Sequence, residues 1–536
     1  MSEDSGLPKG WSQSELSSVS SHITDGSHLP PPKQERGLPM LSATNVNNNS
    51  ISLQGRLISE AAFDAEHKRT QIQAGDVLLT IVGTIGRSAV VPEKMPVFTL
   101  QRSVAVIRSS VLVPKFLAYL FQSTAFQKKL QAHARGTAQK GVYLKSLRGL
   151  VVLLAPFNEQ HRIVAKIEEL FSALDAGVAA LKRAKANLKR YRASVLKAAV
   201  EGKLTEEWRA KHPVEEPAST LLARILKERR QNWEADQLAK FTAAKKEPPK
   251  NWRDKYVEPT RPDTTGLPEL PDGWCWASVE QLLVNSPQNG AYFPKTLYGS
   301  GIPIIRIDDY QQFWSRSANE VQRVQVPARD IELYGLSGSD ILVNRVNSMT
   351  HLGKVLLIEA RHLPSIFESN MMRLRCVEKQ VVPYVRDYLR SHSGIARLRA
   401  DAKWAVNQAS INQQDVQRTS VPFPPLAEQQ GIVNVVDEKL SQIDAAEMQI
   451  EHGLLRASRL RQSILKQAFE GKLVPQDPKD EPTSVLLARL RASRAHDEAN
   501  GTAETSKRNR AKIKESSGEP RTRIRRGPSS QNQQEE

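Results

Sequence analysis

The sequence predicts an α+β fold: two pseudo-symmetric α/β domains joined by two long helices that form an antiparallel coiled coil. Three observations predict it. First, SVLKAAVEGKL (Ser194–Leu204) returns as SILKQAFEGKL (Ser463–Leu473) 269 residues later, with eight of eleven positions identical. Second, a sustained heptad pattern precedes each copy. Third, a mixed strand-and-helix stretch precedes each heptad run and matches its counterpart only in framework.

The repeat extends well beyond the eleven residues. PFNEQHRIVAKIEELFSALD (Pro156–Asp175) aligns with PLAEQQGIVNVVDEKLSQID (Pro425–Asp444) at the same 269-residue offset. EEPASTLLARIL (Glu215–Leu226) aligns with DEPTSVLLARLR (Asp480–Arg491) at an offset of 265. Upstream the matches are weaker but keep their order. LPKGW (Leu7–Trp11) pairs with LPDGW (Leu270–Trp274), and GLPMLSATNV (Gly37–Val46) with GIPIIRIDDY (Gly301–Tyr310). GDVLL (Gly75–Leu79) pairs with SDILV (Ser339–Val343), and VPKFLAYL (Val113–Leu120) with VPYVRDYL (Val382–Leu389).

Within the first copy, VLLTIV (Val77–Val82) and SAVV (Ser88–Val91) flank GTIGR, a hairpin turn pattern. SVAVIR (Ser103–Arg108) reads as a further strand. Pro114 stands at a first helical turn, with Leu117, Leu120 and Phe121 at helical spacing. GTAQKGVY (Gly136–Tyr143) reads as a loop.

The long helices are read from their seams. Ile163, Ile167, Leu170, Leu174, Gly177, Leu181, Ala184, Leu188, Tyr191 and Val195 alternate steps of four and three. The second copy places Ile432, Val436, Lys439, Ile443, Ala446, Ile450, Gly453, Ala457, Leu460 and Ile464 on the same seam. Lys439 and Gly453 interrupt it, with Leu440 and Leu454 one residue away. Gly202 and Gly471 stand where a left-handed residue ends a helix. Each helix is predicted to run about 40 residues, or about 60 Å. Each needs an apolar partner, in a second chain or in the other helix. With a domain between them for the chain to return through, the two can pair antiparallel, as a rod with a globular domain at either end.

Bulk properties narrow the function. At 536 residues the chain exceeds a single core. No apolar run approaches the ~18 residues of a membrane span, and the polar MSEDSG start is not that of a signal peptide. Two isolated cysteines, Cys275 and Cys376, make neither a disulfide framework nor a zinc site and fit a reducing cytoplasm. Lys plus Arg number 76 against 58 Asp plus Glu, a formal charge of +18 that points to a polyanionic partner. A Pro-punctuated connector with a short helix candidate near Ser219–Lys240 separates the copies. After Arg491 periodicity is lost, and the basic tail, with RTRIRR at Arg521–Arg526, reads as disordered.

The P-x-x-E-Q starts at Pro156–Gln160 and Pro425–Gln429, the E-G-K-L ends and the L-P-x-G-W openings together resemble the specificity subunit of type I restriction-modification systems. The resemblance covers nearly the whole chain up to about Arg491. It implies target recognition domains over residues 1–155 and 269–424 and conserved coiled-coil helices over 156–204 and 425–473. The connector over 205–268, a short helical segment over 474–495 and the tail over 496–536 complete the division. The implied partners are double-stranded DNA, two methyltransferase (modification) subunits and restriction/translocase subunits. S-adenosylmethionine is implied on the modification subunits, with ATP and Mg likewise on partner chains and no cofactor on this one. The connector and the tail depart from a minimal version.

The chain itself carries no recognisable catalytic motif. It lacks the Gly-rich cofactor loop and the (Asp/Asn/Ser)-Pro-Pro-aromatic stretch of an amino methyltransferase; PFPPL (Pro422–Leu426) does not fit the latter. GSG (Gly299–Gly301) lacks a third glycine, and there is no G-x-x-x-x-G-K-[ST] loop. The histidines show no metal spacing, and His161 reads as structural.

DNA contacts then fall to loop residues with side chains suited to base edges. In the first domain these are Ser42, Thr44, Asn45, Thr84, Arg87, Gln101, Arg102, Gln139 and Lys140. In the second they are Arg306, Asp308, Asp309, Asn344, Arg345, Asn347, Asn370, Lys403, Asn407 and Gln408, with NRVN (Asn344–Asn347) concentrating amide donors. Lys182, Arg183, Lys185, Lys189 and Arg190 are placed to run beside a spacer backbone or to act as coiled-coil flanks. The expected function is a non-catalytic reader of an asymmetric bipartite target that recruits its enzymes. The alternatives are a subunit serving a methyltransferase-nuclease of another restriction type, an autonomous enzyme, and a coiled-coil scaffold that reads no sequence.

Overall fold

The computed structural model describes residues 6–495 except 138, 312, 406 and 407. The predicted tail, with its RTRIRR cluster, lies outside the described residues, as does Asn407. The chain divides into two compact units. One comprises residues up to 180 together with those from 453 onward, and the other residues 181–452.

Each unit holds one α/β domain, the start of one long helix and the end of the other. The first long helix is Phe157–Val200 and the second Leu426–Phe469, 44 residues each. In the first unit Ile163, Ile167 and Phe171 share a core with Ile464, Leu465 and Phe469. In the second unit Val195, Leu196 and Ala199 share a core with Ile432, Val436 and Ile443. Start meets end in both units, so the pairing is antiparallel.

Ion pairs fix the register. Arg192 binds Asp444 and Glu447 in the second unit, and Arg461 binds Asp175 in the first. Arg461 and Asp444 are Arg192 and Asp175 shifted by the 269-residue offset, so one interhelical contact is made twice. Each arginine also lies over a phenylalanine ring, Arg192 over Phe313 at 4.4 Å and Arg461 over Phe171 at 4.0 Å. The predicted seam needs one correction here. Tyr191 and Leu460 are 47% and 49% exposed, and Arg192 and Arg461 turn inward in their place.

The domains are built on matching sheets. In the first unit His22–Asp25, Val104–Arg108, Val77–Thr80 and Ser88–Val90 form an antiparallel sheet in that order. In the second, Gln288–Asn289, Met371–Leu374, Ile341–Asn344 and Val355–Leu357 do the same. The central strands are mostly apolar because both faces are covered. Val77 and Leu79 enter the core with the long helices, while Leu78 enters a second core with Leu41 and Leu100. A three-stranded sheet follows the same order in both units: Arg56–Ile58, Leu38–Leu41, Thr99–Leu100, and Arg323–Val324, Tyr298–Ile305, Ile366–Phe367. Its last pair is parallel in each. As predicted, Pro114 opens the helix Pro114–Gln122, which packs on Val77–Thr80 and Ser88–Val90.

The repeated motifs form one junction, made once per unit. In L-P-x-G-W the glycine adopts φ of +80° (Gly10) or +81° (Gly273), and the tryptophan amide donates to the proline carbonyl at 3.1 Å. The tryptophan indole then donates to the glutamate of P-x-x-E-Q: Trp11 to Glu159 at 3.0 Å and Trp274 to Glu428 at 2.8 Å. The E-G-K-L end belonging to the other long helix seats on the same motif, Gly202 beside Pro271 and Gly471 beside Pro8. Both glycines are left-handed, at φ +69° and +66°, and the lysine amide after each closes the last turn onto Ala198 or Gln467.

The connector is more structured than predicted. Its helix spans Ala218–Ala243, and Ala218 donates to the Gly273 carbonyl at 2.9 Å. Its counterpart, residues 483–495, begins with Thr483 donating to the Gly10 carbonyl at 3.0 Å. Trp233 stacks on Trp252 and meets Tyr256 edge-on where the connector folds back on its helix.

Candidate nucleic-acid interface

In the first domain, the turn that follows Leu38–Leu41 is held by Asn45. Its side-chain oxygen accepts from the Ser42 amide at 3.0 Å, and its amide group donates to the Ser52 and Gln54 carbonyls at 3.1 and 2.7 Å. The second domain repeats this turn, with Asp309 accepting from the Arg306 amide at 2.9 Å. The neighbouring strand bridges correspond as well. Gln101 donates its amide to Leu41, and Glu368 to Ile305; Ile81 donates to Ser103, and Arg345 to Asn370. Ser42 and Arg306 therefore occupy one scaffold position, and Gln101 and Glu368 another.

Around this scaffold the first domain forms an open concavity of about 510 Å³. Ser42, Thr44, Thr84, Gln101, Arg102 and Gln139 line it, six of the nine predicted residues. Ser27 and His28 also line it, and nothing in their local sequence announced them. Lys140 and Arg87 lie outside the lining. Lys140 is exposed and meets Gly83 through its carbonyl, while Arg87 donates to Asn47 at 2.9 Å.

In the second domain the predicted residues divide. Asp308, Lys403 and Gln408 are exposed. Lys403 and Gln408 stand on the hairpin of Lys403–Ala405 and Gln408–Ser410, which pairs with Val346–Asn347 and so brings Asn347 to the same small sheet. Trp404, 73% exposed on this hairpin, was missed, although a lone tryptophan between Lys403 and the amides is a readable sign. Asn370 is half-buried, and Arg345 donates to the Ser369 carbonyl at 3.1 Å.

Three predicted residues are corrected. Asn45, Asp309 and Asn344 are buried, and each spends its side chain on its own loop. The Asn344 amide donates to the His351 carbonyl at 3.1 Å, so the residue read as most suggestive shapes a turn. Lys354, at the position of Arg87, is also buried. Burial pushes its amine down, opposed by nearby Asp308. On the helices Lys185 binds Glu451, while Lys182, Arg183 and Lys189 are exposed.

Among the described residues no group of three or more His, Cys, Asp or Glu is arranged to hold a metal, and no helix is long and apolar enough to cross a membrane. His161 packs edge-on against Phe157. Cys275 and Cys376 are free thiols, raised by burial to about 11 and about 12.

Comparison with known proteins converges on one family. A family profile described as the type I restriction modification DNA specificity domain matches residues 8–183. The type I restriction enzyme StySPI specificity subunit of Salmonella potsdam is 23% identical over 522 residues, covering 94% of this chain and 98% of that protein. The chain belongs to the type I restriction-modification specificity subunits. The EcoKI specificity subunit of Escherichia coli (strain K12) is 23% identical over 91% of this chain and 96% of its own length. The EcoBI specificity subunit of Escherichia coli reaches 30% identity, but over 42% of this chain and 49% of its own length. A solved chain from work on complex assembly and conformational transition of the type I R-M system shares the fold. Its TM-score is 0.52 at 19% identity, covering 87% of this chain and 99% of that one. For a specificity subunit, the two junctions and the doubled Arg–Asp contact give the repeated motifs a physical role: they weld each domain to a helix pair.

Proposed function

We propose that each domain of this subunit reads one half of an asymmetric bipartite DNA target and that the helix pair sets the spacer between the halves. The observation that carries this is one scaffold bearing different side chains: Ser42 and Gln101 in one domain, Arg306 and Glu368 in the other. Matched frames with unlike surfaces suit a ligand that repeats its backbone and varies its bases. The basic excess supports the backbone contacts. In this reading the residues lining the first concavity and the exposed second-domain hairpin meet base edges or phosphates.

The subunit serves as a non-catalytic reader. Its duplicated junctions offer equivalent surfaces to two modification subunits, which carry S-adenosylmethionine and methylate adenine. Restriction subunits using ATP and Mg join that complex, in the cytoplasm. Exchange of residues 37–110 for those of a relative tests the division of labour. One half-site should change and the other should not; a change in both would refute it. Incubation of the purified chain alone with labelled S-adenosylmethionine and DNA should give no label transfer, and transfer would overturn the non-catalytic reading.

A further inference from the structure

We infer that Arg306 reads a guanine in the half-site of the second domain, with Glu368 as its positioning residue; this rests on the proposal that the domain reads DNA. Arg306 and Glu368 take the two scaffold positions that in the first domain place Ser42 and Gln101 on the concavity. The second domain thus sets a guanidinium where the first sets a hydroxyl.

That guanidinium is held on several sides. Its Nε donates to Glu368 Oε2 at 3.3 Å, its Nη1 donates to Gln322 Oε1 at 3.0 Å, and it lies over the Tyr298 ring, 6.0 Å from the centroid. Glu368 is itself fixed, because its Oε1 accepts the Ile307 amide at 2.7 Å. Both carboxylate oxygens are occupied within the domain, so Glu368 orients Arg306 and does not itself accept from a base. The side chain of Arg306 stays 35% exposed while that of Glu368 is 13% exposed.

An arginine has five N–H donors. The two bonds above use one on Nε and one on Nη1, which leaves the Nη2 amino group and one Nη1 hydrogen to face outward. A pre-oriented pair of donors matches O6 and N7 of guanine, which lie side by side on the major-groove edge. A loose surface arginine would lose rotamer freedom on binding. This one has already lost it to Glu368, Gln322 and Tyr298, so less affinity is spent on ordering.

The experiment selects random duplexes with the full chain, alone and together with its modification subunit. Wild type, R306A, R306K and E368Q are compared, each checked by thermal melting. For R306A and R306K the expected result is loss of guanine preference at one position of one half-site, by about tenfold to a hundredfold. The other half-site and the spacer should be unchanged. R306K keeps the charge without the planar fork, so it carries the test if R306A fails to fold. E368Q keeps an oxygen for the Ile307 amide and should weaken the same position only. An unchanged motif would overturn the inference. So would uniform weakening across all sequences with a salt slope lowered by about one, the mark of a phosphate contact. In both cases the bipartite reading would stand. If the wild type selects no split motif, the functional proposal fails and takes this inference with it.

Discussion

The two junction glutamates should respond very differently to removal. Glu428 and Glu159 are equivalent in sequence, and each is 1% exposed. Glu428 accepts the Trp274 indole at 2.8 Å, the Thr205 hydroxyl at 2.7 Å and Arg209 Nη1 at 3.1 Å. Glu159 accepts the Trp11 indole at 3.0 Å, and its second oxygen is buried without a hydrogen-bond partner among the described residues. Glu428→Ala leaves a guanidinium only 16% exposed without its counter-charge, held by the Gly202 carbonyl, and strands two further donors, a loss of about 3–5 kcal/mol. Glu159→Ala strands one indole N–H, about 1–3 kcal/mol, and relieves an under-satisfied carboxylate in the same step. The second-unit junction should therefore lose roughly 2 kcal/mol more than the first. Native-state hydrogen exchange, read separately over residues 157–167 and 426–436, measures the two junctions in one molecule. Equal losses, or a larger loss for Glu159→Ala, would contradict this difference between the two junctions.

Burial raises the Glu159 carboxyl above its ordinary value, with the Trp11 hydrogen bond and Arg162 opposing and Asp480 adding to the rise. A folded-state value above the unfolded one means the folded protein binds the proton more tightly. The first-unit junction should then gain stability as pH falls through the raised value toward 4.5. Glu159→Gln should abolish that gain, and a wild-type profile that falls over the same window would contradict it. Gly471→Ala should destabilise more than Gly202→Ala. Both adopt positive φ, but a Cβ at Gly471 would lie 2.4 Å from Pro8 Cγ, against 2.8 Å from Pro271 Cγ at Gly202. Losses of about 1 kcal/mol from backbone strain, plus the clash, should appear in thermal melting, and an inverted order would count against the junction geometry. Removing matched heptads from both long helices should shorten the DNA spacer and leave the half-sites unchanged.

Much of the frame was legible because it repeats. The glycines ending the helices, Pro114 opening a helix and the hairpin about GTIGR are local events with local rules. The seam was legible except at Gly177, Tyr191 and Leu460. A straight helix at 3.6 residues per turn drifts about 20° per heptad from a strict repeat, and the inward position passes to Arg192 and Arg461, where Asp444 and Asp175 wait. Self-comparison also could not reveal that E-G-K-L seats on the L-P-x-G-W of the other copy, because similarity names equivalent parts and not touching ones. At the interface, Asn45, Asp309 and Asn344 carry the right chemistry for a base edge. Only the fold reveals that their amides and carboxylates are consumed by turns. Glu368 was passed over because nothing in its local sequence announces a grip on Arg306, 62 residues away in the chain.

The two domains, with unlike side chains on one scaffold, are proposed to read two unlike DNA half-sites. Selection of random duplexes by the full chain with its modification subunit measures this directly. The expected result is two different short motifs separated by a spacer of one length. A single motif, two identical motifs, or halves at variable separation would contradict it.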